Sequence, residues 1–274
     1  PMATSAGALN YVRDLVRRRS GIVLDADKDY LIESRLTAVA REVGCATVED
    51  VITRARQPSG GDMNVRVVEA LTTNETSFFR DVHPFEALRD EIMPAVLAAR
   101  ATSRTVRIWS AACSTGQEPY SIAMTLREHF ASLTGWRVRI TATDLAESIL
   151  ARARQGQYRQ LEVNRGLPAP LLIKYFERDG ADWAVRPDVR SMVEFRPLNL
   201  IEPVSPFPQA DIVFLRNVLI YFDVPTRRAV LKRVREAIAP DGYLLLGGAE
   251  TTTHIDDAFE RVQNGKAVYH RLRR

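Results

Sequence analysis

The 274-residue chain is 46% hydrophobic and 26% charged, which is ordinary for a globular protein, and it is long enough for one α/β domain of roughly 170 residues plus a smaller companion. No apolar run approaches the roughly 20 residues that span a bilayer and no signal-peptide pattern is visible, so the expected setting is cytoplasmic, without membrane insertion. A formal charge of +4 permits an acidic partner without demanding nucleic acid, while two cysteines (Cys45, Cys113) and four scattered histidines (His83, His129, His254, His270) offer no metal-ligand spacing.

Pro1-Met2 reads as an extension ahead of a native start and is set aside. Residues 10–72 carry helical periodicity in four short blocks: Val12, Leu15 and Val16; then Leu31, Ile32, Leu36, Val39, Ala40 and Val43, stopped by Gly44; then Val51 and Ile52 behind a Thr47 cap; then Val65, Val68 and Leu71. Helices this short persist only by packing on one another, so a helical bundle is expected. The first helix sets Arg13, Arg17, Arg18 and Arg19 against a single acid, Asp14. This reads either as a solvated face or as a docking surface for an acidic helical partner. Residues 74–80 (NETSFFR) are helix-poor and rich in hydrogen-bonding groups beside an aromatic pair, as in a capped turn or a segment folded over a ligand. A helix over about 84–100, perturbed near Pro94, then leads into the next domain.

From residue 105 strands and helices alternate: strand 106–111, helix 119–131, strand 137–143, helix 146–154, strand 193–198, strand 211–215, helix 225–238, strand 242–247 and strand 267–271. That order implies a largely parallel sheet covered on both faces. The first strand ends in small residues, 110–116 (SAACSTG), feeding a helix N-terminus, the usual nucleotide crevice of such sheets. Its single Gly116 is not a dinucleotide fingerprint, and no Gly-Lys-Ser/Thr follows to hold a triphosphate. Glu118 would repel a phosphate, so the turn suits a cationic nucleoside such as S-adenosylmethionine, although an ordinary strand-to-helix corner has the same grammar. Cys113 could be a nucleophile but reads more simply as packing.

Asp144 closes the second strand, 28 residues beyond Gly116, where it would accept ribose hydroxyls or cap the following helix. Between 155 and 193 the alternation breaks into a helix near 170–176 and a hairpin around Asp179-Gly180, an insertion on the rim of the sheet. Residues 210–223 (ADIVFLRNVLIYFD) form a buried strand ending at Arg216-Asn217, with Tyr221 one helical turn on, as a site residue or a half-buried core tyrosine.

Together, NETSFFR at 74–80, WSAACSTGQEPYS at 109–121, ATD at 142–144, Asn199-Leu200 and RNVLIYFD at 216–223 resemble the chemotaxis receptor methyltransferase (CheR) family, in the same order over nearly the whole chain. The resemblance implies a class I S-adenosylmethionine methyltransferase, Rossmann-like, with a mostly parallel sheet carrying one antiparallel strand, plus a small all-helical N-terminal domain and a β-rich insertion. It implies a helical docking domain over 1–82, a linking helix over 83–104 and a catalytic domain over 105–274 with its insertion at about 156–193. The implied reaction moves a methyl group from S-adenosylmethionine to glutamate side chains of bacterial chemoreceptors, leaving S-adenosylhomocysteine. Carried over by position, the cofactor would meet Asn74, Thr76, Arg80, Glu118, Asp144, Asn199, Leu200, Arg216 and Asn217, with Glu118 near the methionine ammonium. Arg80 and Tyr221 would face the methyl donor and the incoming glutamate. Gln117 stands where other members often have a second acid.

The expected partners are the cytoplasmic methylation helices of chemoreceptors, met by Arg13, Arg17, Arg18 and Arg19, with the enzyme monomeric. Some members of the family bind a receptor pentapeptide tether through a longer, glycine-containing hairpin than residues 178–183 provide, so pentapeptide independence is expected. The rival readings are a class I methyltransferase with a small-molecule or RNA acceptor, and a non-catalytic receptor-binding module that keeps the nucleoside pocket. Against RNA stands the lack of a concentrated basic and aromatic surface.

Overall fold

The computed structural model describes residues 4–203 and 209–273, which divide into two compact units. The first comprises the chain up to Thr73 together with Tyr221–Thr226. Its helices are α1 (Ala6–Ser20), α2 (Asp29–Glu42), α3 (Val48–Arg56) and α4 (Gly61–Leu71). Local chemistry sets their ends: Ser5 accepts the Ala8 N–H, Gly21 closes α1 at φ +76°, and Thr47 and Asp50 form a reciprocal capping box on α3. Val12, Leu15, Val16, Ile32, Leu36, Val51, Ile52, Val67, Val68 and Leu71 make the core. Val65, expected on that face, is 53% exposed instead, because α4 turns Val67 and Val68 inward. Tyr221–Thr226 joins this unit through a bridge between Ile22 and Phe222 and a 2.9 Å bond from Val23 N to the Tyr221 carbonyl.

The second unit begins with α5 (His83–Ala87), a π-helical turn (Leu88–Ile92) and α6 (Met93–Ala99). The wider turn lies just upstream of Pro94, whose ring would otherwise strike the carbonyl one turn back. Then follow β1 (Thr105–Ala111), α7 (Gln117–His129), β2 (Arg137–Asp144) and α8 (Glu147–Gln155). Helix α7 starts two residues before the expected 119, since proline is tolerated within a first turn.

The insertion contains β3 (Gln157–Tyr158), α9 (Gln160–Asn164), α10 (Ala169–Tyr175), β4 (Phe176–Asp179), β5 (Asp182–Val185) and α11 (Pro187–Arg190). Its strands pair antiparallel in the order β3-β5-β4, and Gly180 at φ +61° makes the tight β4–β5 turn. The chain returns through β6 (Val193–Pro197), β7 (Ala210–Leu215), α12 (Val224–Ala237), β8 (Ile238–Leu246), β9 (Phe259–Asn264) and β10 (Ala267–Leu272).

The main sheet runs β6-β2-β1-β7-β8-β10-β9, parallel through β8, with β10 antiparallel to both β8 and β9. This is the doubly wound architecture expected from the sequence, with the antiparallel pair at one edge. Strand β9 escapes the sequence pattern because FERVQN buries only its first residue. Strands β1 and β7 are central, and their carboxyl ends, flanked by those of β2 and β8, form the crevice where such sheets bind ligands.

Candidate active site

Backbone strain concentrates at this crevice. Among the described non-glycine residues, positive φ occurs here at Phe79, Asp81 and Val82, at Ala112 and Ser114 after β1, and at Asn217 after β7, and elsewhere only at Arg104 and His254. Left-handed backbone in a β-branched residue such as Val82 (φ +53°) is costly and persists only where its surroundings over-determine it. Within the second unit three segments therefore converge: the polar-aromatic stretch that begins at Asn74, the β1–α7 turn and the β7 turn.

Arg216 fastens all three. It is buried, and its guanidinium donates to Glu118 Oε2 on α7 at 3.0 Å and to the Arg80 carbonyl and Asp81 Oδ2 at 2.8 Å each. The Phe85 ring lies beneath it, 5.8 Å from centroid to Cζ. Glu118 also accepts the Ser110 hydroxyl at 2.7 Å. Burial nonetheless pushes the Glu118 carboxyl above the ordinary carboxylate range, against the opposing pull of Arg216 and Ser110.

The β1–α7 turn has a second carboxylate. Asp144 Oδ2 accepts the Ser114 N–H at 2.9 Å and Oδ1 accepts the Ala146 N–H at 3.2 Å, so Asp144 braces the turn beside it and also holds the backbone at Ala146, the N-cap of α8. Ser114 in turn donates its hydroxyl to the Asn74 carbonyl at 3.0 Å. From the insertion, Tyr158 donates to the Thr115 carbonyl at 2.7 Å, and Gly166 approaches so closely that a Cβ there would lie 2.1 Å from the Phe78 carbonyl oxygen. Phe78 is clamped edge-on between Tyr158 and Phe176.

Thr76 lines a cavity of about 370 Å³ with Asn74, Thr115, Gln117, Arg152 and Leu161, on the side of the turn nearest the insertion. Arg80 donates to the Glu75 carbonyl at 3.1 Å. Asn199 and Leu200 follow β6 immediately after a 2.9 Å bond from Leu198 N to the Asp144 carbonyl, which sets them at the carboxyl end of β2; Leu200 is buried. Tyr221 belongs to the helical unit, so its assignment rests on its motif alone. Of the basic set, Arg13 is bound to Asp29 and Arg17 to Asp223, while Arg17, Arg18 and Arg19 stand exposed in the last turn of α1, where they also complement the helix dipole.

Cys113 is buried against Ala142 and Leu150, and desolvation pushes its thiol up, so it packs the turn and supplies no thiolate. Sequence reading missed Ser110, Asp81, Tyr158 and, above all, Glu250 in the loop after β8. Its Oε2 accepts from Gly247 N at 2.7 Å and Asn217 N at 2.8 Å, and its Oε1 from Val218 N at 2.9 Å. The available signal was Gly247-Gly248 at the end of the apolar run of β8, the same grammar that marks the end of β1.

These donors do not suit a phosphate. The Ser114 N–H that would meet one is committed to Asp144, and Glu118 occupies the first turn of α7. A crevice edged by carboxylates fits a positively charged nucleoside.

The chain matches the model of the CheR methyltransferase SAM-binding domain over residues 74–268 and that of the CheR methyltransferase all-alpha domain over 7–72. It is 39% identical to chemotaxis protein methyltransferase 1 of Pseudomonas aeruginosa, covering 99% of this chain and 100% of that one. It is 40% identical to chemotaxis protein methyltransferase 1 of Vibrio cholerae, covering 92% of each, and 34% identical to the chemotaxis protein methyltransferase of Escherichia coli, covering 98% and 92%.

Proposed function

This chain belongs to the CheR methyltransferase family, an S-adenosylmethionine-dependent family, and on that premise we propose that it methylates glutamate side chains on the cytoplasmic helices of chemoreceptors. The observation that carries the reading is the pairing of Glu118 with Arg216 beside an Asp144 that already holds the Ser114 amide. It makes a rigid crevice whose acids favour a sulfonium cofactor and leave no phosphate cradle.

We assign Asn74, Thr76, Arg80, Glu118, Asp144, Asn199, Leu200, Arg216 and Asn217 to the cofactor and Arg80 with Tyr221 to the reacting groups. Held by those residues, S-adenosylmethionine would supply an electrophilic methyl for transfer to a carboxylate oxygen, with the electron pair of the broken methyl–sulfur bond left on S-adenosylhomocysteine.

A substrate glutamate is already ionised at pH 7, its unperturbed pKa being about 4.3, so attack requires no general base. Neither Cys113, buried with its thiol pushed up, nor His83, which is exposed and bonded to Glu86 at 2.9 Å, is needed as one. Because opposite charges are neutralised as the reaction proceeds, strong stabilisation of the separated charges would slow it. The useful work of Arg80 and Tyr221 is to hold one oxygen in line with the methyl–sulfur bond.

The exposed arginines at the end of α1 are the surface we assign to the acidic receptor helices. The two-residue β4–β5 turn argues for an enzyme that works without a receptor pentapeptide tether. Transfer of labelled methyl to receptor fragments lacking and carrying that tether tests the reading. Base-labile label at glutamates of both fragments is expected, with the rate falling as salt screens the docking charges. Label absent from both fragments, or found only on RNA or a small molecule, overturns it.

A further inference from the structure

Glu250 lies half-buried in the loop after β8. Its carboxylate pairs with no arginine or lysine among the described residues; it is filled by backbone. Oε2 takes Gly247 N and Asn217 N at 2.7 and 2.8 Å, and Oε1 takes Val218 N at 2.9 Å with a longer approach from Ile220 N at 3.4 Å. A carboxylate accepting several amides is a strong fixture, since each bond is charge-assisted.

The geometry around it is equally closed. A Cβ on Gly247 would lie 2.7 Å from Glu250 Oε2, 2.7 Å from Asn217 Nδ2 and 3.0 Å from Asn217 Cγ, so the Asn217 carboxamide, the Gly247 backbone and the Glu250 carboxylate pack as one cluster. Asn217 itself sits in left-handed backbone at φ +58°, a conformation that needs external support.

The sheet order explains the arrangement. Strands β1 and β7 lie side by side at the centre, and each ends in a strained turn. The outer neighbour of β1 is β2, whose terminal Asp144 accepts an amide of the β1 turn; the outer neighbour of β7 is β8, whose following loop sends Glu250 to the amides of the β7 turn. The crevice is thus walled by two turns, each pinned by a carboxylate from the flanking strand.

We propose that Glu250 is a positioning residue for methyl transfer: by gripping the amides of Asn217, Val218 and Gly247 it fixes the side-chain direction of Asn217 and the course of Arg216, and through them the cofactor. This rests on the assignment of Asn217 and Arg216 to the cofactor above. Gln at position 250 keeps the size but replaces one acceptor oxygen with an NH2 group that meets N–H donors head on.

The test is a double-mutant cycle of Glu250→Gln and Gly247→Ala, read by calorimetric titration with S-adenosylhomocysteine, circular dichroism and receptor kinetics. Each single variant is expected to stay folded at 10 °C, to weaken S-adenosylhomocysteine about tenfold and to leave the receptor KM within twofold. The double variant should be no weaker than either single one by more than twofold, because both act on one cluster. If Glu250→Gln does not fold, Gly247→Ala carries the same comparison. A folded variant that binds S-adenosylhomocysteine like the parent, or effects that simply multiply, overturns the proposal and leaves Glu250 a stability brace. Failure of the functional reading looks different: the parent would bind S-adenosylhomocysteine yet methylate no receptor, and the cycle would still be readable.

Discussion

The two turns at the heart of the crevice do the same structural job with different visibility. The β1–α7 turn advertises itself through a run of small residues, and its brace, Asp144, stands at a strand end where a doubly wound sheet leads one to look for an acid. The β7 turn, RNV, contains no glycine; it borrows its freedom from Gly247, just past the end of the neighbouring strand β8, and its brace from Glu250 beyond it. A turn whose special backbone is supported in sequence is legible. One supported from across the sheet is not.

Arg216 is where the comparison is easiest to break, because it links the second turn to Glu118 on the helix that follows the first. Arg216→Ala leaves a buried carboxylate without its partner, a class of change that costs roughly 3–5 kcal/mol, and should lower Tm on the order of 10 °C. A Tm within 2–3 °C of the parent, by calorimetry, would mean the two turns stand independently.

Next in size is the residue that follows the second turn in sequence. Tyr221→Phe removes one hydroxyl and should lower kcat about 10- to 100-fold, roughly 1.4–2.8 kcal/mol, while S-adenosylhomocysteine affinity stays as in the parent. Equal losses in kcat and affinity would make Tyr221 a part of the cofactor wall.

For the first turn, Asp144→Ala removes charge-assisted bonds worth roughly 1.5–3 kcal/mol each at most, so S-adenosylhomocysteine should bind tenfold or more weakly by calorimetric titration. Setting this loss beside that of Glu250→Gln ranks the two braces directly. Unchanged affinity in Asp144→Ala would show that Asp144 serves the backbone around Ser114 and Ala146 and does not hold the cofactor.

The smallest effect concerns pH. Glu118 has its folded-state pKa raised, chiefly by burial, so the folded chain holds a proton where the unfolded carboxyl, at its ordinary value of 4.5, has already lost it. This contribution to stability is fully present below 4.5 and is lost as pH rises through the folded value. Relative to Glu118→Gln, the parent should therefore lose ground in Tm as pH rises from acid to neutral. A difference between the two that stays flat with pH would show that Arg216 compensates the burial completely.

The sequence by itself determined the class of fold, the helical block ahead of it and the strand ends on which the proposed site residues stand, because periodicity, caps and small-residue strand ends are local properties. The four helices of the first unit, the β1 turn and Asp144 needed no long-range knowledge. Tertiary structure alone decided the rest. Glu118, expected beside the cofactor ammonium, is held by Arg216, 98 residues away. Asp144, open between ribose and helix cap in the sequence, also accepts the Ser114 and Ala146 amides, and Val65 turned outward although its spacing suited the core. Strand β9 exists because β10 offers it an edge, and Glu250 matters because β7 and β8 lie side by side. Each of these depends on which residues meet across the sheet, and a buried charge or a strained amide finds its partner by proximity in space, which no spacing along the chain encodes.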